Sequence, residues 1–209
     1  MKSTLTFLLL LISLLSFSQI KIPNGFSEVT KSPASGKSIE KIFMNFDNDS
    51  LKDEMLLVQN TFEVPNYKLL IYLTSLKKQF EIDLISKNDA TIYPVPLKTH
   101  KNVIEFGYFE DGTAAFGRFI KLRFYSETQK IQVIGYDCGY KSSPTLHIDK
   151  SYNLLTGKYS VKWTNYNENG KVKIVHFYGK NDFFKNNVFL EGLDLEMFVN
   201  LDDVGSKYE

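Results

Sequence analysis

From Ser38 onward the chain repeats one pattern: short runs rich in Ile, Val, Phe and Tyr, parted by Asn, Asp, Gly, Pro and Ser. β-Branched and aromatic residues suit a pleated surface, and the small polar residues between them supply turns, so the pattern predicts strands and hairpins. Expected strands cover 39–44, 55–59, 67–74, 79–86, 102–109, 116–125, 130–137, 158–164 and 171–178. Ile120, Leu122 and Phe124 alternate with Lys121 and Arg123, and Tyr159, Val161 and Trp163 with Lys158, Ser160 and Lys162. Successive strand side chains point to opposite faces, so each set gives one apolar and one polar face. Asn169-Gly170 predicts a hairpin and Glu127 to Gln129 a second tight connection. The expected fold is all-β, mainly antiparallel, propeller-like or barrel-like, with little helix. Leu190, Leu193, Leu195, Phe198 and Leu201 fit either a helix face or a last strand within 189–201, and both remain open.

Seventeen Phe and 12 Tyr supply material for a sizeable core, which excludes a disordered chain. With 25 basic against 24 acidic side chains, the chain lacks the basic excess of a nucleic-acid binder, so no nucleic-acid partner is expected. Cys138 is the single cysteine, which excludes an internal disulfide and a cysteine metal cluster, and a buried structural thiol is expected there.

Met1 and Lys2 precede an apolar run at residues 5 to 17, too short to span a bilayer with ease. Ser16 and Ser18 are small residues suitably placed for cleavage before Gln19, so residues 1–18 read as a signal peptide. The expected product is exported, periplasmic or extracellular, with no stable membrane insertion after cleavage. Residues 19–37 are expected as an exposed N-terminal arm and 38–209 as one β domain, with Lys87 to Lys101 as a long internal loop.

Residues 45–53 carry the densest chemistry: Asn45, Asp47, Asp49 and Asp53 fall at loop positions 1, 3, 5 and 9, with the Leu51 carbonyl at position 7. Hard cations such as Ca²⁺ take several oxygen ligands, and alternate residues of a tight loop can converge to supply them. The same residues also suit an Asx-rich turn whose side chains bond their own backbone. Flanking strand-like runs distinguish the segment from a helix-loop-helix calcium site.

Segment 43–59, FMNFDNDSLKDEMLLVQ, resembles the Asp-rich loop and following apolar strand of calcium-binding FG-GAP/VCBS-type repeats, which also occur singly in small exported bacterial β proteins. The resemblance implies a structural Ca²⁺ held by Asn45, Asp47, Asn48 or Asp49, the Leu51 carbonyl and Asp53, with Asp49 favoured over Asn48 by spacing. Asn45 and Ser50 stand where the pattern has Asp and Gly, which implies weaker binding than a full motif gives. Asn153, Thr156 and Gly157 are similar to a turn in the C-terminal part of that group. Some of its members are calcium-dependent periplasmic inhibitors of peptidoglycan-cleaving enzymes, which implies a protein partner of the cell-wall hydrolase class.

Other residues carry less. Gly36-Lys37-Ser38 lacks the first glycine of a phosphate loop, and His100, His147 and His176 lack the spacing of a zinc helix. Glu105, Glu110 and Asp111 raise the carboxylate-pair chemistry of glycoside hydrolysis. Tyr136 and Tyr140 flank Gly135 and Gly139 in a segment read as a loop, where an exposed aromatic anchor would sit. The leading functional expectation is a noncatalytic, calcium-stabilised binding protein with a protein partner. A glycan-binding module is the alternative, and a glycoside hydrolase ranks third.

Overall fold

The computed structural model describes residues 20–60, 66–86, 90–166, 169 and 171–208. The signal-peptide segment and Gly170 lie outside them. Thirteen strands among these residues form two antiparallel sheets, as the sequence pattern predicts, with a single short α-helix near the C-terminus.

The smaller sheet holds β1 (Phe26–Glu28), β2 (Ile42–Met44), β3 (Asp53–Asn60), β4 (Tyr67–Leu73) and β5 (Lys78–Leu84). β3 pairs with β4 along one edge, while β1 and β2 share the other edge in succession. Its central strands are apolar on both faces, which explains a departure from expectation. Met55, Leu57, Leu69 and Ile71 enter the main core, whereas Leu56, Val58 and Leu70 face the other way and need a separate cover. Ile20 and Phe26 provide it. Within residues 20–37, expected as an exposed arm, β1 and the buried Ile20, Val29 and Ser32 are tied into the fold, while most of the other side chains are exposed.

The larger sheet holds β6 (Ile92–Pro94), β7 (Lys98–His100), β8 (Val103–Glu110), β9 (Gly117–Tyr125), β10 (Lys130–Ser143), β11 (Leu146–Asn153), β12 (Lys158–Tyr166) and β13 (Val172–Lys180). From β8 to β13 each strand pairs with the next. The sheets stay open: among the described strands β13 pairs with β12 alone, and β6 and β7 end the opposite side without barrel closure. β6 and β7 occupy the stretch expected as a long loop. Pro94 can sit in β6 because an edge strand tolerates a missing N–H. Gln129 closes the expected β9–β10 turn at a φ of 52°.

One contiguous buried cluster draws on both sheets and the C-terminal segment. There α1 (Leu195–Asp202) resolves the open choice for 189–201 in favour of helix, preceded by a 3-10 turn at Leu190–Gly192. Asp194 caps α1 by accepting a hydrogen bond from the Met197 N–H at 2.8 Å. Phe198 and Leu201 enter the core, and Asp202, one residue on, is buried with them. Its carboxylate meets Arg118 of β9 at 2.7 Å.

Arg118 is fully buried on the inner face of the larger sheet and also pairs with Glu110 at 3.0 Å. Its Nε donates to the Tyr136 hydroxyl at 2.9 Å, and that hydroxyl donates to Asp202 at 2.5 Å. The Ile85 carbonyl, just past β5, accepts from both Arg118 at 3.1 Å and the Tyr108 hydroxyl at 2.7 Å. Burial pushes the Tyr108 pKa up to about 12, so the phenol stays a donor. The cluster thus joins α1, the middle of the larger sheet and the end of the smaller one.

Removing one partner of a buried ion pair leaves the other charge uncompensated, at a cost of about 3 to 5 kcal/mol. Asp202→Ala should lower urea-unfolding stability by about that amount. Lys121→Ala, which breaks a part-exposed pair with Asp137, should cost no more than about 1 kcal/mol.

Candidate functional site

Two places on the molecule concentrate polar chemistry, the 45–53 loop and the outer face of the larger sheet. In the loop, Asp53 opens β3 and is fully buried. Its Oδ2 accepts from the backbone N–H of Phe46 at 2.8 Å and of Asp47 at 3.3 Å, and its Oδ1 from that of Thr74 at 2.9 Å. One carboxylate thereby pins the loop to the β4–β5 turn. Asp47 accepts from the Asp49 N–H through Oδ1 and from the Ser75 hydroxyl through Oδ2, at 3.2 and 2.6 Å. Asp49 Oδ1 accepts from the Leu51 N–H at 2.5 Å, and the Asn45 amide donates to the Asp49 carbonyl. The positive φ of 64° falls on Asn48, a residue type that tolerates it.

The loop is thus a self-bonded Asx turn. Its candidate ligands are all oxygen, the type a hard cation takes, and one oxygen each of Asp47, Asp49 and Asp53 accepts from the loop's own N–H groups. Among the described residues no three His, Cys, Asp or Glu side chains are arranged to hold a metal. Glu54, the next residue, is buried and paired with Lys41 at 2.9 Å.

Burial raises the Asp53 pKa above its ordinary value, although hydrogen bonds from Thr74 and Phe46 oppose the shift. The folded state consequently holds this proton more tightly than the unfolded one. That contribution to stability is full below the ordinary carboxylate pKa and is lost as pH rises through the raised one.

Sequence reasoning missed the outer face of the larger sheet. Antiparallel register lines up Phe109, Gly117, Gly139, Asp149, Lys162 and His176 in one row across β8 to β13. The adjacent row reads Gly107, Phe119, Asp137, Ser151, Ser160 and Tyr178. Five strand spacings make this surface about 24 Å wide. Small residues in its middle leave a trough of about 530 Å³.

The glycines set its shape. A Cβ on Gly107 would meet the Phe119 ring at 2.3 Å, and one on Gly117 would meet the Phe109 ring at 2.7 Å. Each phenyl ring therefore lies over the glycine opposite, and the rings meet edge to face at 5.6 Å. This pair walls one end of the trough. At the floor, Gly139 leaves room for Asp149, which bonds His147 Nε2 at 2.9 Å and Lys162 Nζ at 3.0 Å. At the far end His176 stacks on Tyr178, with rings 9° from parallel. Thr164, in register with His147, keeps a buried hydroxyl without a hydrogen-bond partner, which is costly unless a ligand or water supplies one.

The outer positions of β9 to β13 carry Lys121, Arg123, Lys141, Lys158, Lys162 and Lys180 against Asp137 and Asp149 alone. A chain with nearly balanced charge thus presents one basic face.

Several sequence expectations change on this surface. Gly135, Tyr136, Gly139 and Tyr140 belong to the long strand β10, and Tyr136 is buried, so no aromatic anchor stands on a loop there. Glu105 and Glu110 leave β8 on opposite faces, Glu105 toward Lys98 and Lys121 and Glu110 toward Arg118. Cys138 is a buried core thiol, as expected. Glycines inside strand-like runs were the sequence feature that could have revealed the trough, because such glycines mark close approach of a neighbouring chain or ligand.

Comparison with protein families, curated proteins and solved structures finds no match to this chain.

Two substitutions check these local accounts. Asp53→Ala orphans three N–H groups, each worth about 1 to 3 kcal/mol when buried, and should cost at least about 3 kcal/mol in chemical denaturation. Gly107→Ala should cost about 1 to 3 kcal/mol by overpacking, because the new methyl also meets the Arg118 carbonyl at 2.6 Å.

Proposed function

We propose that this chain is a noncatalytic, exported binding protein that docks a protein partner on the outer face of its larger sheet. The observation that carries the reading is the trough: a preshaped, basic, aromatic-walled surface on a scaffold whose opposite face is filled by core. Aromatic and cationic side chains around a polar floor suit an acidic protein surface, since such groups recur where binding energy concentrates. The partner class is a cell-wall hydrolase, a choice supported by the exported-inhibitor resemblance of residues 43–59. A second reading, a glycan ligand, is favoured by the Phe109–Phe119 wall over a floor of Ser151, Ser160, Asp149 and His147. Such a pairing of ring faces with hydrogen-bonding groups suits sugar rings.

The test measures complex formation with a panel of peptidoglycan hydrolases beside a glycan array. Binding to a hydrolase, weakened about tenfold or more by Phe109→Ala or Lys162→Glu, is the expected result. Array binding with an unresponsive hydrolase panel would transfer the trough to the glycan reading, and silence in both would overturn the proposal.

Calcium at residues 45–53 belongs to the same proposal as a structural ion. It is supported by the spacing of Asn45, Asp47, Asp49, Leu51 and Asp53 and by their all-oxygen chemistry. Free calcium at about 100 times its dissociation constant should add about 2.7 kcal/mol to stability. The expected result is a rise in melting temperature over chelator that Asp47→Ala/Asp49→Ala abolishes. An unchanged melt in millimolar calcium would leave the loop as a self-bonded turn.

A further inference from the structure

The larger sheet ends in a long, unbroken edge strand. β13 runs nine residues in unbroken register with β12, and among the described strands it has no partner on its other edge. Free edges invite further pairing, and proteins usually blunt them with short length, bulges, proline or charge. The other edges here follow that practice. β1, β2, β6 and β7 are three residues each, β6 contains Pro94, and β5 exposes Lys78, Glu81 and Asp83. β13 carries exposed Lys173 and Lys180 near its two ends, and its outer face also exposes Val172, Ile174 and Tyr178, at 51%, 53% and 71% of full exposure.

We propose that β13 pairs with β13 of a second copy of this chain, antiparallel about a two-fold axis at His176, joining two larger sheets and their troughs edge to edge. The strand is complementary to itself in this register. Ile174 falls opposite Tyr178 of the second copy and Val175 opposite Phe177, which are aromatic and β-branched cross-strand pairs of the stabilising kind. Lys173 falls opposite Gly179 and Lys180 opposite Val172, so no lysine lies directly across from another.

An edge of nine residues is about 30 Å long and, at a sheet thickness of about 10 Å, offers about 300 Å² per copy. That is below the roughly 800 Å² per partner of a standard interface, so main-chain hydrogen bonds and the four symmetry-related apolar pairs carry the association. The association is accordingly weak and reversible. His176 and Tyr178 close the β13 end of each trough, and pairing there would make one groove from two. This association goes beyond the reading of the trough and stands whether the trough takes a protein or a glycan.

The test is sedimentation equilibrium of the purified protein from about 1 to 200 μM, a range that spans micromolar dissociation. Dimer formation is expected, weakened about tenfold or more by Ile174→Lys with an unchanged melting temperature. His176→Cys should form an intermolecular disulfide across the axis, since opposed antiparallel residues lie within disulfide reach, while Phe43→Cys on the smaller sheet should not. A monomer throughout, or a dimer indifferent to Ile174→Lys and lacking the His176→Cys crosslink, would overturn the proposal. So would a monomer whose β13 takes an acidic extended peptide, which would give the edge a different occupant.

Discussion

Arg118 carries a charge that cannot be removed at accessible pH and is placed where no water reaches it. Such a charge is tolerable only when its partners surround it. Glu110 and Asp202 supply the countercharge, Tyr108, Tyr136 and the Ile85 carbonyl accept further hydrogen bonds from it, and the rings of Phe116 and Phe198 lie 4.7 and 5.1 Å from its central carbon. These side chains come from β8, β9, β10, α1 and the β8–β9 connection. No two of those elements can separate without uncovering the guanidinium.

That constraint assigns the two faces of the larger sheet. With α1 held by Asp202, Phe198 and Leu201 fill the inner face, and Gly205 lets the following backbone press close to Val161 and Tyr159. Lys150 of β11 also points inward and donates to the Asp202 carbonyl, which extends the clamp one strand further. Among the described residues the C-terminal segment and the smaller sheet cover the inner face, and the outer face stays open. Glycine and serine at the outer positions then form a hollow, and the basic side chains around it give the hollow a sign.

Much of the β architecture was legible because alternation survives wherever one face is apolar. The strand at Gly117–Tyr125 reads plainly from Ile120, Leu122, Lys121 and Arg123. β11 did not, since its inner face includes Lys150 and its outer face His147, Asp149 and Ser151, so a central strand carries the composition of a loop. The same cause hid the end of β10, whose glycines serve cross-strand packing and not a turn. The helix stayed undecided because only Leu195, Phe198 and Leu201 of the apolar set lie in it, while Leu190 and Leu193 precede it, and its inward Asp202 depends on an arginine 84 residues away. In the 45–53 loop the sequence showed where oxygen-bearing side chains are dense. It could not show that Asp53 turns both its oxygens to backbone N–H groups, one of them at Thr74, beyond the loop itself.

Native-state hydrogen exchange tests most directly the claim that the Arg118 cluster makes one cooperative unit of helix and sheet. The account predicts that the amides of Leu195–Asp202 open with the same free energy as those of β9 and β10, because releasing the helix strands a buried charge. A helix that exchanges much faster than those strands, like an ordinary fraying terminus, would contradict it.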